Sequence, residues 1–178
     1  MKTIKKENAV YSVALCGILC AQAVALSWLE NLLPALPYMP PGAKPGFSNI
    51  VTMFTAGSIG LCQAMSITVI KAGFALLTRG ATAGAMSLAG GTFSTVIMWL
   101  MFRFAKEKMG LIGISVLSAV AHNIAQLIVA AFITGTFSVI NYAPFLGLYA
   151  IITGSVTGML LKAVMPALEK QKNLFIRK

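Results

Sequence analysis

Ser115, Ser118, His122 and Gln126 are the residues whose types and spacing are best suited to chemistry in this chain. They recur at spacings of three, four and four within SVLSAVAHNIAQ (115–126), which puts them on one face of a helix whose other faces are apolar. Asn123 lies about 100° round the same helix. The stripe carries the sole histidine of the sequence beside two carboxamides. Within a bilayer a polar stripe facing lipid is costly, so it must line a helix bundle or a ligand cavity. Two readings stay open, an inter-helix hydrogen-bond seam and a ligand-contacting stripe.

Catalysis finds little support elsewhere. His122 has no acid beside it in sequence, and no phosphate loop of the GxxxxGK[ST] kind exists. Aspartate is absent, and the glutamates are Glu7, Glu30, Glu107 and Glu169, which leaves nothing for paired carboxylates or an acidic magnesium site. Cys16, Cys20 and Cys62 sit in apolar runs without histidine or acid nearby, so they make no zinc signature and read as small core residues. The expectation is a non-enzyme with no metal and no cofactor. If it transports actively, the energy must come from a partner or an ion gradient.

The elements that position these residues are membrane helices. The chain has 178 residues, is 58% hydrophobic and carries a net charge of +10. Its uncharged runs are 8–29, 45–70, 80–102 and 109–161, and a crossing takes about 20 apolar residues. The chain is therefore one integral membrane domain. Its basic residues flank hydrophobic runs and do not interleave with aromatics, so they read as topology signals and nucleic-acid binding is not expected.

MKTIKK before an apolar run resembles a signal-peptide start, but the run is long and continues past AQA, so an uncleaved first helix is expected. Gly17, Ala21 and Ala25 recur along it every four residues, a ridge that lets another helix approach closely. Internal packing and partner docking would both use such a ridge. The segment 30–47 then holds five prolines (34, 37, 40, 41 and 45) with Gly42 and Gly46, and reads as a loop or lid over 30–46.

The region 45–78 is too long for one crossing and short for two, at about 51 Å if wholly helical. Charge decides between them. With six crossings and a cytoplasmic start, the cytoplasmic side receives all basic residues except Lys44, Lys71 and Arg79. With five, the basic 103–108 loop and the basic C-terminal tail would both lie outside. The expected spans are 9–29, 47–60, 62–78, 82–102, 110–133 and 143–164, with both termini cytoplasmic in the cell membrane. Gly57, Ser58 and Gly60 mark the turn between two short helices, an interruption common near transport sites.

Two further helices show small faces. Ala83, Ser87, Gly90 and Ser94 make one on the fourth helix, where Ser87 is within reach of a ligand. Ala150, Gly154 and Gly158 make a GxxxG-like ridge on the last helix, specific for nothing beyond close packing. From a start near Gly110, His122 lies about 18 Å and Gln126 about 24 Å along the fifth helix, in the outer half of the membrane. Lys44, Lys71 and Arg79 fall in that same half, as does Glu30 at the outer end of the first span. Lys71 lies within an apolar helix, where a cation needs a partner, a function or a route by which to snorkel outward. The candidate ligand-binding set is His122, Asn123, Gln126, Lys71, Lys44, Asn49, Arg79, Ser87 and Glu30. It predicts an outward-facing pocket for a small polar-headed or amphiphilic molecule, with an anionic or strongly polar head and room left open for an apolar body.

ALSWLENLLPALPYMPPGAKPGFSNIVTMF (25–54), SLAGGTFS (87–94) and AHNIAQ (121–126) resemble the membrane family labelled both heptaprenyl diphosphate synthase component I and Gx transporter. The resemblance covers about residues 10–165. That family is similar in turn to the substrate-binding S components of energy-coupling factor (ECF) transporters. The resemblance implies an all-α bundle of six transmembrane helices and an outward-facing ligand site under a long first loop. It also implies an AxxxA ridge on the first helix, matched by Ala21 and Ala25, that docks on a transmembrane subunit driven by two ATPases. The synthase label implies a different role. Prenyl synthases hold diphosphates through magnesium on aspartate-rich motifs, and a chain without aspartate serves such an enzyme only as an accessory membrane subunit.

Overall fold

The computed structural model describes residues 2–32 and 46–176. Most of the expected lid, and Lys44 within it, fall in 33–45, outside the described residues. The chain forms α1 (Lys2–Leu32), α2 (Asn49–Ser58), α3 (Leu61–Arg79), α4 (Ala81–Phe104), α5 (Lys106–Thr134), a 3-10 turn (Phe137–Tyr142) and α6 (Ala143–Ile176). The architecture is all-α, as expected.

Five stretches are long and apolar enough to cross a membrane: Val10–Leu32, Leu61–Arg79, Ala81–Phe104, Lys106–Thr134 and Phe137–Leu174. Their outward side chains are apolar, with Leu77 86%, Phe132 83% and Phe137 82% exposed. Such a surface suits lipid and not water, which makes this a multi-pass membrane protein.

The expected second span, 47–60, is where the structure departs from the sequence reading. As an α-helix α2 has ten residues, about 15 Å or half a hydrocarbon core. It is buried over Ile50–Ala56, Thr52 and Thr55 included, and touches α1, α3, α4 and α6. A helix enclosed by four others belongs at the centre of the bundle, and its buried Thr55 hydroxyl is satisfied by the Val51 carbonyl of the same helix at 2.8 Å. Met53 and Phe54 of α2 anchor the core, packed with Leu15, Leu19, Ile67, Met98, Ile114 and Leu161. Full enclosure by protein is what permits so short a helix, since its ends need not reach the lipid surface.

α2 ends at Ile59–Gly60, where Gly60 has φ 154°, a conformation that favours glycine. The chain then doubles back. Asn49, ten residues before that break, hydrogen-bonds to Lys71, about as far after it, so α2 and α3 form an antiparallel hairpin. α3 and α4 pair likewise through the Thr68 and Thr95 hydroxyls, 2.8 Å apart and both buried. α4, α5 and α6 follow as sequential neighbours. α5 carries a break at Gly110 (φ 63°), so its long straight part begins there.

The two small-residue ridges fare differently. On α6, Ala150, Gly154 and Gly158 are buried, and a Cβ on Gly154 would stand 2.6 Å from Val116 Cα. That ridge is used up holding α5 against α6. On α1, Gly17, Ala21 and Ala25 are exposed, and nothing lies within 4 Å of where a Gly17 Cβ would be. This second ridge is bare among the described residues.

Candidate functional site

All six helices contribute to a cavity of about 350 Å³ at one end of the bundle. Of the nine residues proposed from sequence, eight line it: Glu30, Asn49, Lys71, Arg79, Ser87, His122, Asn123 and Gln126. The ninth, Lys44, lies outside the described residues. Separate helices, distant in sequence, thus converge because each carries its rare polar group at the same height along the bundle.

The stripe on α5 divides into two halves. Ser115 and Ser118 are buried, and Ser118 Oγ donates back to the Ile114 carbonyl of its own helix at 2.7 Å, so this half is packed away without a side-chain hydrogen bond to another helix among the described residues. His122 and Gln126, one and two turns further on, open into the cavity. The stripe is thus buried in packing over its first half and faces the cavity over its second. His122 is held in place from α4, where the buried Ser94 Oγ stands 3.3 Å from Nδ1. Gly90 makes room for it. A Cβ there would stand 2.9 Å from His122 Nε2 and from Gln126 Cγ, so the missing side chain is what lets both residues lie against α4. Asn123 turns toward α6, its Nδ2 donating to the Leu146 carbonyl at 3.0 Å. The amide nitrogen is thereby occupied in joining helices.

On the opposite wall the first turn of α2 is tied from two sides. The Glu30 carboxylate, 4% exposed, accepts from Ser48 N at 3.1 Å and from Ser48 Oγ at 3.4 Å. A carboxylate at the start of a helix also meets the positive end of its dipole. Lys71 Nζ donates to Asn49 Oδ1 at 2.7 Å. Its acceptor is a neutral amide, which leaves the ammonium charge uncompensated by that bond. Arg79, at the last turn of α3, lines the exposed side of the cavity.

Sequence reasoning missed Ser27, Ser48, Thr82, Tyr149 and Thr153, which also line the cavity. Tyr149 carries the most information, because its hydroxyl is buried without a hydrogen-bond partner among the described residues. The available signal was the four-residue repeat Tyr149, Thr153, Thr157 on α6, overshadowed by the adjacent glycine ridge. Among the described residues no three histidine, cysteine or acidic side chains gather to hold a metal ion.

Fold and site together define a multi-pass, all-α membrane protein with a polar, cation-bearing cavity at one end of its bundle. Its sequence relationship is specific. The chain belongs to the heptaprenyl diphosphate synthase component I family, whose model matches residues 19–164. No curated protein and no solved structure matches it.

Proposed function

We propose that this protein is a substrate-capture subunit of an energy-coupled uptake transporter, similar in role to the S components of ECF transporters. It takes a small polar molecule from the extracytoplasmic side, with both termini in the cytoplasm. The observation that carries this reading is the cavity itself. It joins lysine, arginine, histidine and carboxamide groups inside a shell whose outer face is apolar, and intramembrane polar groups gathered in this way are expensive unless they serve a ligand. The bare ridge of Gly17, Ala21 and Ala25 supports a docking role for α1 on a transmembrane partner, with ATPases supplying the energy that this chain has no motif to harvest. The subunit itself is non-catalytic and needs no cofactor. Affinity purification of the full chain from its native membrane, followed by identification of companions, tests the proposal. A transmembrane subunit with two ATPases supports it, and their absence under conditions of active uptake refutes it.

The family description favours a second reading, a non-catalytic membrane subunit working beside a prenyl synthase. Without aspartate the chain supplies no magnesium-diphosphate motif, so the synthase would be a separate protein. Co-purification of a soluble prenyl synthase in place of the ATPases would select this reading.

A further inference from the structure

Charge, volume and one orphan hydroxyl narrow the class of molecule the cavity takes. Its lining holds two cations, Lys71 and Arg79, against one carboxylate, Glu30. That carboxylate is already engaged by Ser48 through both oxygens, while Lys71 has a neutral acceptor. The lining is thus one positive charge in excess, and a charge in such surroundings is stabilised by an opposite charge brought to it. Beside the cations, the Tyr149 hydroxyl is buried with no partner among the described residues, although it lines the same space. A buried hydroxyl without a hydrogen bond is costly, and a polar group on a bound molecule would relieve it.

Volume sets the scale. A cavity of about 350 Å³, open on the side that Arg79 lines, is of a size that takes a small molecule.

We propose that the cavity binds a compact organic anion, a carboxylate or phosphate ester whose charge sits between Lys71 and Arg79 and whose polar body reaches Tyr149. This rests on the capture reading for its physiological meaning, yet it is testable without it. Ser87 lines the cavity and Thr136 is exposed on the loop after α5. Ser87→Cys and Thr136→Cys are placed separately in the full chain carrying Cys16→Ala, Cys20→Ala and Cys62→Ala, in detergent. Each is labelled with the anionic reagent methanethiosulfonate ethylsulfonate and with its cationic trimethylammonium counterpart.

With the Thr136→Cys rates as the reference for intrinsic reactivity, Ser87→Cys should prefer the anionic reagent by about tenfold or more, as charge focusing in a cleft produces. Lys71→Gln and Arg79→Gln should each reduce that preference, Lys71→Arg should retain it, and Tyr149→Phe should leave it unchanged. Equal or reversed charge preference, a preference that survives loss of both cations, or no labelling of Ser87→Cys by either reagent would each overturn the anion assignment. None of these outcomes depends on companion subunits, so failure here is distinct from failure of the capture reading, which shows in the purified companions.

Discussion

Lys71 Nζ reaches Asn49 Oδ1 across 2.7 Å, tying the middle of α3 to the first residue of α2. With Glu30 holding Ser48 from α1, the start of the shortest helix is fastened on two sides by charged groups. Bonds to charged partners contribute about 1.5–3 kcal/mol each. Asn49→Ala should therefore lower the detergent melting temperature, because it leaves a half-buried ammonium without its acceptor. Asn49→Asp should restore the melting temperature. A melting curve unchanged in Asn49→Ala would show that the bond contributes nothing to the fold.

Glu30→Gln retains the shape of the side chain but removes its charge. Loss of the favourable placement at the α2 N-terminus and of the charge-assisted bonds to Ser48 should cost about 1–2 kcal/mol. Ser48→Ala keeps the backbone donor and should cost less than Glu30→Gln. Thermal unfolding of the two variants side by side checks the ranking, and the reverse order would count against capping by Glu30.

Gly90 sets two opposing terms against each other. Alanine in place of glycine within a helix gains about 1 kcal/mol in propensity. A Cβ 2.9 Å from His122 Nε2 overpacks the α4–α5 contact, at a cost of about 1–3 kcal/mol. Gly90→Ala should therefore be neutral to modestly destabilising, and Gly90→Val clearly worse. Both should displace His122 into the cavity. Altered imidazole resonances in NMR spectra would report that displacement, and unaltered ones would argue against it.

The two ridges predict contrasting behaviour. Gly154→Ala drives a methyl to 2.6 Å from the Val116 backbone, which cannot step aside as a side chain would. It should destabilise the isolated protein by about 1–3 kcal/mol. Gly17→Leu meets open space and should leave the melting temperature unchanged or raised, while, on the docking role proposed for α1, abolishing recovery of a transmembrane companion. Companions recovered as well with Gly17→Leu as with the native chain would remove α1 as the docking face.

Much of this arrangement was legible in the sequence because polar groups are rare in membrane helices. Each of Lys71, His122 and Gln126 interrupts an apolar run, and charge asymmetry placed them at a common depth. The length of α2 was not legible. Nothing in NIVTMFTAGS separates a helix that reaches lipid from one sheathed by protein, since threonine and serine hydroxyls can bond back to their own helix in either setting. The division of the α5 stripe was equally hidden, because Ser115 and His122 share a face and differ only in what α4 and α6 set against them. Tyr149 escaped because tyrosine is ordinary in an apolar helix, and its significance appears only once its hydroxyl is found without a partner.

The brevity of α2 has one more consequence. Helices that meet acyl chains must tilt, bend or distort their surroundings when a bilayer thickens or thins. α2 is enclosed by α1, α3, α4 and α6, so that strain reaches it only through its neighbours. The wall of the cavity that it carries is buffered against the lipid composition of the host membrane.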